Sequence, residues 1–153
     1  MRIRKDAAQK PKGSAMPQVT GVLETALHVD DIRRASAFYE DLFGFRKLDG
    51  DGDRFCAYGV ADRQVLLLFK RGGTTRPIAL PGGVVPPHGG SGSLHFAFSV
   101  PAADLDAWED RLASRGIAIE SKVRWERGGR SVYFRDLDGH LLELVTPGCW
   151  AIY

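Results

Sequence analysis

Two stretches of this 153-residue chain superpose at a constant offset of 71 positions, and no other feature constrains the fold as strongly. Leu23-Glu24-Thr25-Ala26-Leu27-His28-Val29 lies on Leu94-His95-Phe96-Ala97-Phe98-Ser99-Val100, with Leu, Ala and Val matching in place. In each copy one set of alternate positions (Leu23, Thr25, Leu27, Val29; Leu94, Phe96, Phe98, Val100) has the period of a strand that rests one face on a core. Glu24 and His95 fall on the opposite face. A chain that carries this strand twice is expected to build two related modules.

A helix is expected behind each strand. Asp30 or Asp31 caps a run in which Ile32, Ala35, Phe38, Tyr39 and Leu42 recur at helical spacing before Gly44. In the second copy Asp104 stands as the cap before Leu105, Trp108 and Leu112, and Gly116 marks the stop. Three strands follow each helix, around 45–48, 54–59 and 64–69, then around 117–125, 131–134 and 140–145. Each half therefore reads as βαβββ, an α+β class. The last strands also superpose, at an offset of 76, which puts Leu67 where the second half has Glu143. Between the halves, positions 71–92 are dense in glycine and proline, so no regular element is expected there. The expected organisation is a basic tail over 1–20, one domain over 21–148 and a short tail over 149–153. Within the domain the modules span about 21–70 and 92–148, joined by a linker or lid over 71–91.

The net charge of +2 conceals an uneven distribution, because the first 20 residues carry +4 and the remainder −2. That tail has no interleaved aromatics and no apolar face, so it is expected to be disordered and to bind neither nucleic acid nor membrane. The longest apolar run, 65–69, is far too short to span a bilayer. Cys56 and Cys149 form neither a disulfide framework nor a CxxC zinc pattern, and a reducing cytoplasm is the expected location.

The two βαβββ halves, the stretch VDDIRRASAFYEDLFGF after the first strand and FRDLDGHLLELVTPG near the end resemble the glyoxalase/bleomycin resistance/dioxygenase (vicinal oxygen chelate) superfamily over about 21–148. Leu137 departs mildly from the closing pattern, which usually reads aspartate-proline-aspartate-glycine. The resemblance implies two modules forming a curved mixed-sheet cleft, with a divalent metal held from their first and last strands. The equivalent positions here are Glu24, Leu67, His95 and Glu143. Leu67 cannot ligate, so a three-ligand set of Glu24, His95 and Glu143 is implied, suited to Zn, Ni, Mn, Fe or Co.

The residues themselves leave alternatives open. Glu143 stands among Leu141, Leu142, Leu144 and Val145, where an unpaired carboxylate is costly, so it needs a partner. That partner is a metal or an arginine in the cleft, with His95 then a hydrogen-bonded core residue. His28 shares a face with Glu24 but lies about 13 Å away along a strand rising ~3.3 Å per residue, too far to ligate the same ion. Since the repeat pairs Glu24 with His95, His28 is expected to face substrate. Tyr133, Arg130 and His88 are further substrate-binding candidates: the first on the strand beside Glu143, the second in a glycine-rich hairpin suited to an anion, the third in the lid.

The function implied is a metal-dependent, glyoxalase-like lyase or isomerase acting on a small molecule chelated through vicinal oxygens. Glu143 or Glu24 would move the proton. A bleomycin-resistance-type binding protein without turnover and an extradiol dioxygenase are the alternatives. Fosfomycin-type thiol transfer fits less well, because it places a histidine where Glu24 stands and a basic residue after the last strand. A homodimer is expected, because relatives with one pair of modules per chain usually associate.

Overall fold

The computed structural model describes residues 16–153. Positions 1–15 of the basic tail lie outside the described residues, and 16–23 form no regular element. The first module runs β1 (Glu24–Val29), α1 (Ile32–Phe43), β2 (Arg46–Gly50), β3 (Phe55–Val60) and β4 (Gln64–Lys70). After a hairpin of β5 (Ile78–Leu80) and β6 (Gly83–Val85), the second runs β7 (His95–Ser99), α2 (Leu105–Ser114), β8 (Ile119–Arg124), β9 (Arg130–Arg135) and β10 (Leu141–Val145). Both halves are βαβββ, as their sequence pattern requires.

Each module closes its own four-stranded mixed sheet, ordered β1-β4-β3-β2 in the first and β7-β10-β9-β8 in the second. In both, the first strand runs parallel to the last. Glu24 opposes Val65 and His95 opposes Leu141, so the offsets of 71 and 76 seen in sequence are preserved in the strand pairing.

The alternation of side chains decides which residues are left for chemistry. Leu27, Val29, Cys56, Tyr58, Leu66 and Leu68 face α1, where Ile32, Ala35, Tyr39 and Leu42 are buried against them. Phe98, Val132, Phe134, Leu142 and Leu144 pack in the same way with Leu105 and Leu112 of α2. Each such leucine contributes about 1.5–3 kcal/mol by leaving water. The intervening residues occupy the faces turned away from the helices: Glu24, Ala26, His28, Leu67 and Phe69 in one module, His95, Ala97, Ser131, Tyr133 and Glu143 in the other.

Two local expectations are corrected. Asp31 does cap α1, its carboxylate accepting from the Arg34 N–H at 2.9 Å. Asp104 makes no such bond, because it already lies in a 3-10 turn (Ala102–Asp104) and its backbone has left the extended conformation that a capping side chain needs. The linker is also more regular than its composition implies. Pro81-Gly82 forms the turn that pairs Ile78–Leu80 with Gly83–Val85.

A buried polar network joins the modules. Tyr39 on α1 donates to Asp136 Oδ2 at 2.8 Å, and Asp136 Oδ1 accepts from the backbone N–H groups of Asp138 (3.0 Å) and His140 (2.8 Å). His140 is fully buried; its Nδ1 accepts from the Leu94 N–H at 3.0 Å, which leaves Nε2–H to donate to the His28 carbonyl at 2.8 Å. Asp138 in turn accepts from the Asp30 N–H at 2.7 Å. The DLDGH segment thereby ties the end of β1 to the start of β7, the strand that carries His95.

Candidate metal centre

Glu143 is 6% exposed at the middle of β10, and the partners its burial demands are all on neighbouring strands. Antiparallel pairing sets Tyr133 directly opposite it, and Ser131 lies two positions further along β9 on the same face. Both hydroxyls donate to one oxygen: Ser131 Oγ to Oε1 at 2.5 Å and Tyr133 OH to Oε1 at 2.9 Å. The Tyr133 hydroxyl is pushed to a higher pKa by burial and then by Glu143, so it remains a proton donor. The other oxygen, Oε2, faces His95 Nε2 at 3.2 Å.

The imidazole of His95 is oriented from behind. Its Nδ1 stands 3.0 Å from the Leu141 carbonyl, which accepts and never donates, so Nδ1 carries a proton. In the neutral ring Nε2 then presents a lone pair directly at a carboxylate oxygen. Two such donors repel unless a proton or a cation lies between them. The spacing fits a cation: ligands ~2.1 Å from one ion that subtend about 90–110° stand roughly 3.0–3.4 Å apart. The 3.2 Å between His95 Nε2 and Glu143 Oε2 falls within that interval. A histidine oriented through its second nitrogen and a carboxylate with one oxygen tied back are the supports a metal site requires.

A family model described as the Glyoxalase/Bleomycin resistance protein/Dioxygenase superfamily matches residues 21–144. The chain belongs to that superfamily. Among solved superfamily-fold structures, a lactoylglutathione lyase from Agrobacterium tumefaciens is 33% identical, with a TM-score of 0.80 over 88% of this chain and 99% of the other. The fosfomycin resistance protein FosX of Listeria innocua is 29% identical over 135 residues, covering 82% of this chain and 89% of that protein. A shorter match, 48% over 54 residues, links the chain to the metallothiol transferase FosB of Shouchella clausii, of whose length it spans 37%.

The superfamily's implied ligand positions do not all meet within one chain. His95 and Glu143 come together, whereas among the described residues no three His, Cys, Asp or Glu side chains form a group able to hold an ion. Glu24 is exposed at the start of β1, and Leu67 is half-buried on β4 between Ala26 and Ala57. Repeat-equivalent residues occupy equivalent places on two different sheets, so equivalence alone does not bring them into contact.

His28 of the first module meets His88 of the connection between the modules. His28 is 6% exposed, with Phe69 and His88 ring centroids 5.9 and 5.8 Å away, and its Nε2 is buried without a hydrogen-bond partner. Gly90 lies across the ring so closely that a Cβ there would stand 2.6 Å from Nδ1. Burial, then His88, Arg71 and His140, hold the His28 pKa below its ordinary value, so the ring is neutral at pH 7. His88 is exposed, and Thr74 anchors its backbone by accepting from its N–H at 2.9 Å and donating Oγ1 to its carbonyl at 2.7 Å.

Arg130 does not join the site. It shares strand parity with Val132 and Phe134, so it points to the helix side and is committed to Asp106 (3.0 Å) and the Ala102 carbonyl (3.3 Å). Two further residues, Ser131 and Trp125, take part in the site. Ser131 was legible as sharing the face of Tyr133, and only its bond to Glu143 was hidden; Trp125 closes the alternating run of the strand expected over 117–125, and only the pairing of β8 with β9 shows that its indole donates to Ser131 Oγ at 2.7 Å.

Proposed function

We propose that this protein is a metal-dependent enzyme acting on a small molecule that offers two neighbouring oxygens. His95 and Glu143 of one subunit and Glu24 of a second copy would hold a divalent ion (Zn, Ni, Mn, Fe or Co). The observation that carries the reading is the oriented His95–Glu143 pair, whose 3.2 Å spacing would let both side chains hold one ion. The second copy is needed because Glu24 has no place beside that pair within one chain. It also follows directly on Val22 and Leu23, which expose apolar surface, as do Trp150 and Ile152.

A bound divalent ion supplies Lewis acidity toward a chelating substrate. The chain's own groups divide the remaining work. His95 keeps Nε2 aimed through its bond to the Leu141 carbonyl, and Tyr133 places a hydroxyl donor beside the same pair. Glu143 Oε1 is already occupied by two hydroxyl donors, and Oε2 faces His95, so neither oxygen is free for a substrate proton. Glu24 is therefore the carboxylate better suited to take a proton from substrate. Proton transfer, as in a lyase or isomerase, is the chemistry this arrangement supports best. Fosfomycin-directed chemistry is the second reading, favoured by the likeness to FosX over most of both chains.

The test is subunit complementation. Glu24→Ala and Glu143→Ala proteins should each bind Mn(II) weakly, and mixing them under subunit exchange should restore tight binding at about a quarter of the sites, because one site of each mixed dimer is intact. No restoration on mixing would remove the shared site. Wild-type protein that binds no divalent ion would remove the metal reading altogether. Phosphorus NMR of fosfomycin incubated with the loaded protein, with and without a thiol, separates the two chemistries.

A further inference from the structure

We propose that Ser131 and Trp125 are positioning residues that commit Glu143 to gripping the ion through one oxygen, Oε2; this rests on the metal reading above. The direction of the relay follows from its chemistry. An indole N–H can only donate, so Ser131 Oγ must accept from Trp125 Nε1 at 2.7 Å. The single proton of the serine is then left for Glu143 Oε1, 2.5 Å away. Tyr133 adds a second donor to that same oxygen at 2.9 Å.

Trp125 is itself held firmly. Its backbone N–H donates to the Gly129 carbonyl at 2.8 Å and its carbonyl accepts from the Gly128 N–H at 2.9 Å, closing the turn between β8 and β9. That turn lies directly on the backbone after β10: a Cβ on Gly129 would stand 2.6 Å from the Cys149 nitrogen. Ser131 is 1% exposed, so water does not compete for its hydroxyl. The terminal torsion of a glutamate is broad, and an untethered carboxylate swings between presenting one oxygen and presenting two. The Trp125–Ser131 relay and Tyr133 hold Oε1 back, leaving Oε2 opposite His95 Nε2 at 3.2 Å.

A merely structural role would give a different result: the bonds would satisfy a buried carboxylate, and their loss would lower stability without altering the ion. The experiment titrates metal-free, full-length protein with Co(II), following affinity by calorimetry and ligand geometry by visible absorption, with unfolding of the metal-free proteins measured in parallel. Ser131→Ala should weaken Co(II) binding by about 10- to 100-fold, the usual effect of removing a group that orients a ligand, and should change the absorption spectrum. Ser131→Thr keeps the hydroxyl and should restore both. Trp125→Phe, which leaves Ser131 in place, should weaken binding by less and shift the spectrum in the same direction; it carries the test if Ser131→Ala folds poorly. Folded Ser131→Ala or Trp125→Phe protein with wild-type affinity and spectrum would overturn the relay while leaving the metal site standing. Wild-type protein that binds no Co(II) would overturn both.

Discussion

Replacing Tyr39 with phenylalanine removes one oxygen from the interior and tests whether the Asp136 segment ties the modules together. Tyr39 is fully buried, and its ring would keep its neighbours, with Phe38 and Phe43 centroids 5.3 and 6.0 Å away. What is lost is the 2.8 Å bond to Asp136 Oδ2. Asp136 is 7% exposed, and Oδ1 keeps both backbone donors, so the carboxylate is weakened on one side only. A hydrogen bond to a charged group is worth about 1.5–3 kcal/mol, and relieving the burial of a hydroxyl returns part of that. A net loss of about 2 kcal/mol is expected. With a urea m-value of about 1–3 kcal/mol per molar, the midpoint should fall by roughly 1 M with m unchanged. Burial, with Asp136 adding to it, holds the Tyr39 hydroxyl well above its ordinary pKa, so it is a donor at every pH from 6 to 9 and the loss should not vary across that range. A double-mutant cycle with Asp136→Asn should return a coupling of about 1 kcal/mol or more. A loss below about 0.5 kcal/mol with no coupling would refute the claim that this bond staples the modules.

Two further outcomes follow from the first module. Leu67 occupies the register position of Glu143, so if the second copy brings this face to the site, Leu67→Glu should raise Mn(II) affinity; calorimetry showing no gain would mean that Leu67 does not border the ion. His28 is buried beneath Gly90 with its pKa below the ordinary value, so the unfolded chain takes up its proton first as pH falls. Stability from this residue is therefore present above about pH 6.5 and declines below it. His28→Phe should flatten the fall in urea midpoint between pH 7.5 and 5.5, and an unchanged slope would assign that acid sensitivity elsewhere.

Periodicity is local, and what is local was legible from the chain alone. The two offsets, the βαβββ pattern of each half and the strand parity that separates Glu24, His95 and Glu143 from the core are all present in the structure, because a strand's alternation follows from backbone geometry and the apolar face must be buried. The same parity, applied to Arg130, would have turned it away from the site, since it shares its face with Val132 and Phe134. The need of Glu143 for a partner was also legible, but the identity of its partners was not: Ser131 and Tyr133 reach it by pairing across β9 and β10, and Trp125 acts one step away, donating to Ser131. Tertiary structure alone decided that Asp136 and His140 serve the junction of the modules and that a hairpin forms within the glycine- and proline-rich connection. It also decided that Glu24 stands apart from His95 and Glu143 within one chain. A repeat records which face a residue takes on its own sheet; which faces then meet depends on how sheets, helices and subunits pack, and that energy is spread over contacts no short segment encodes.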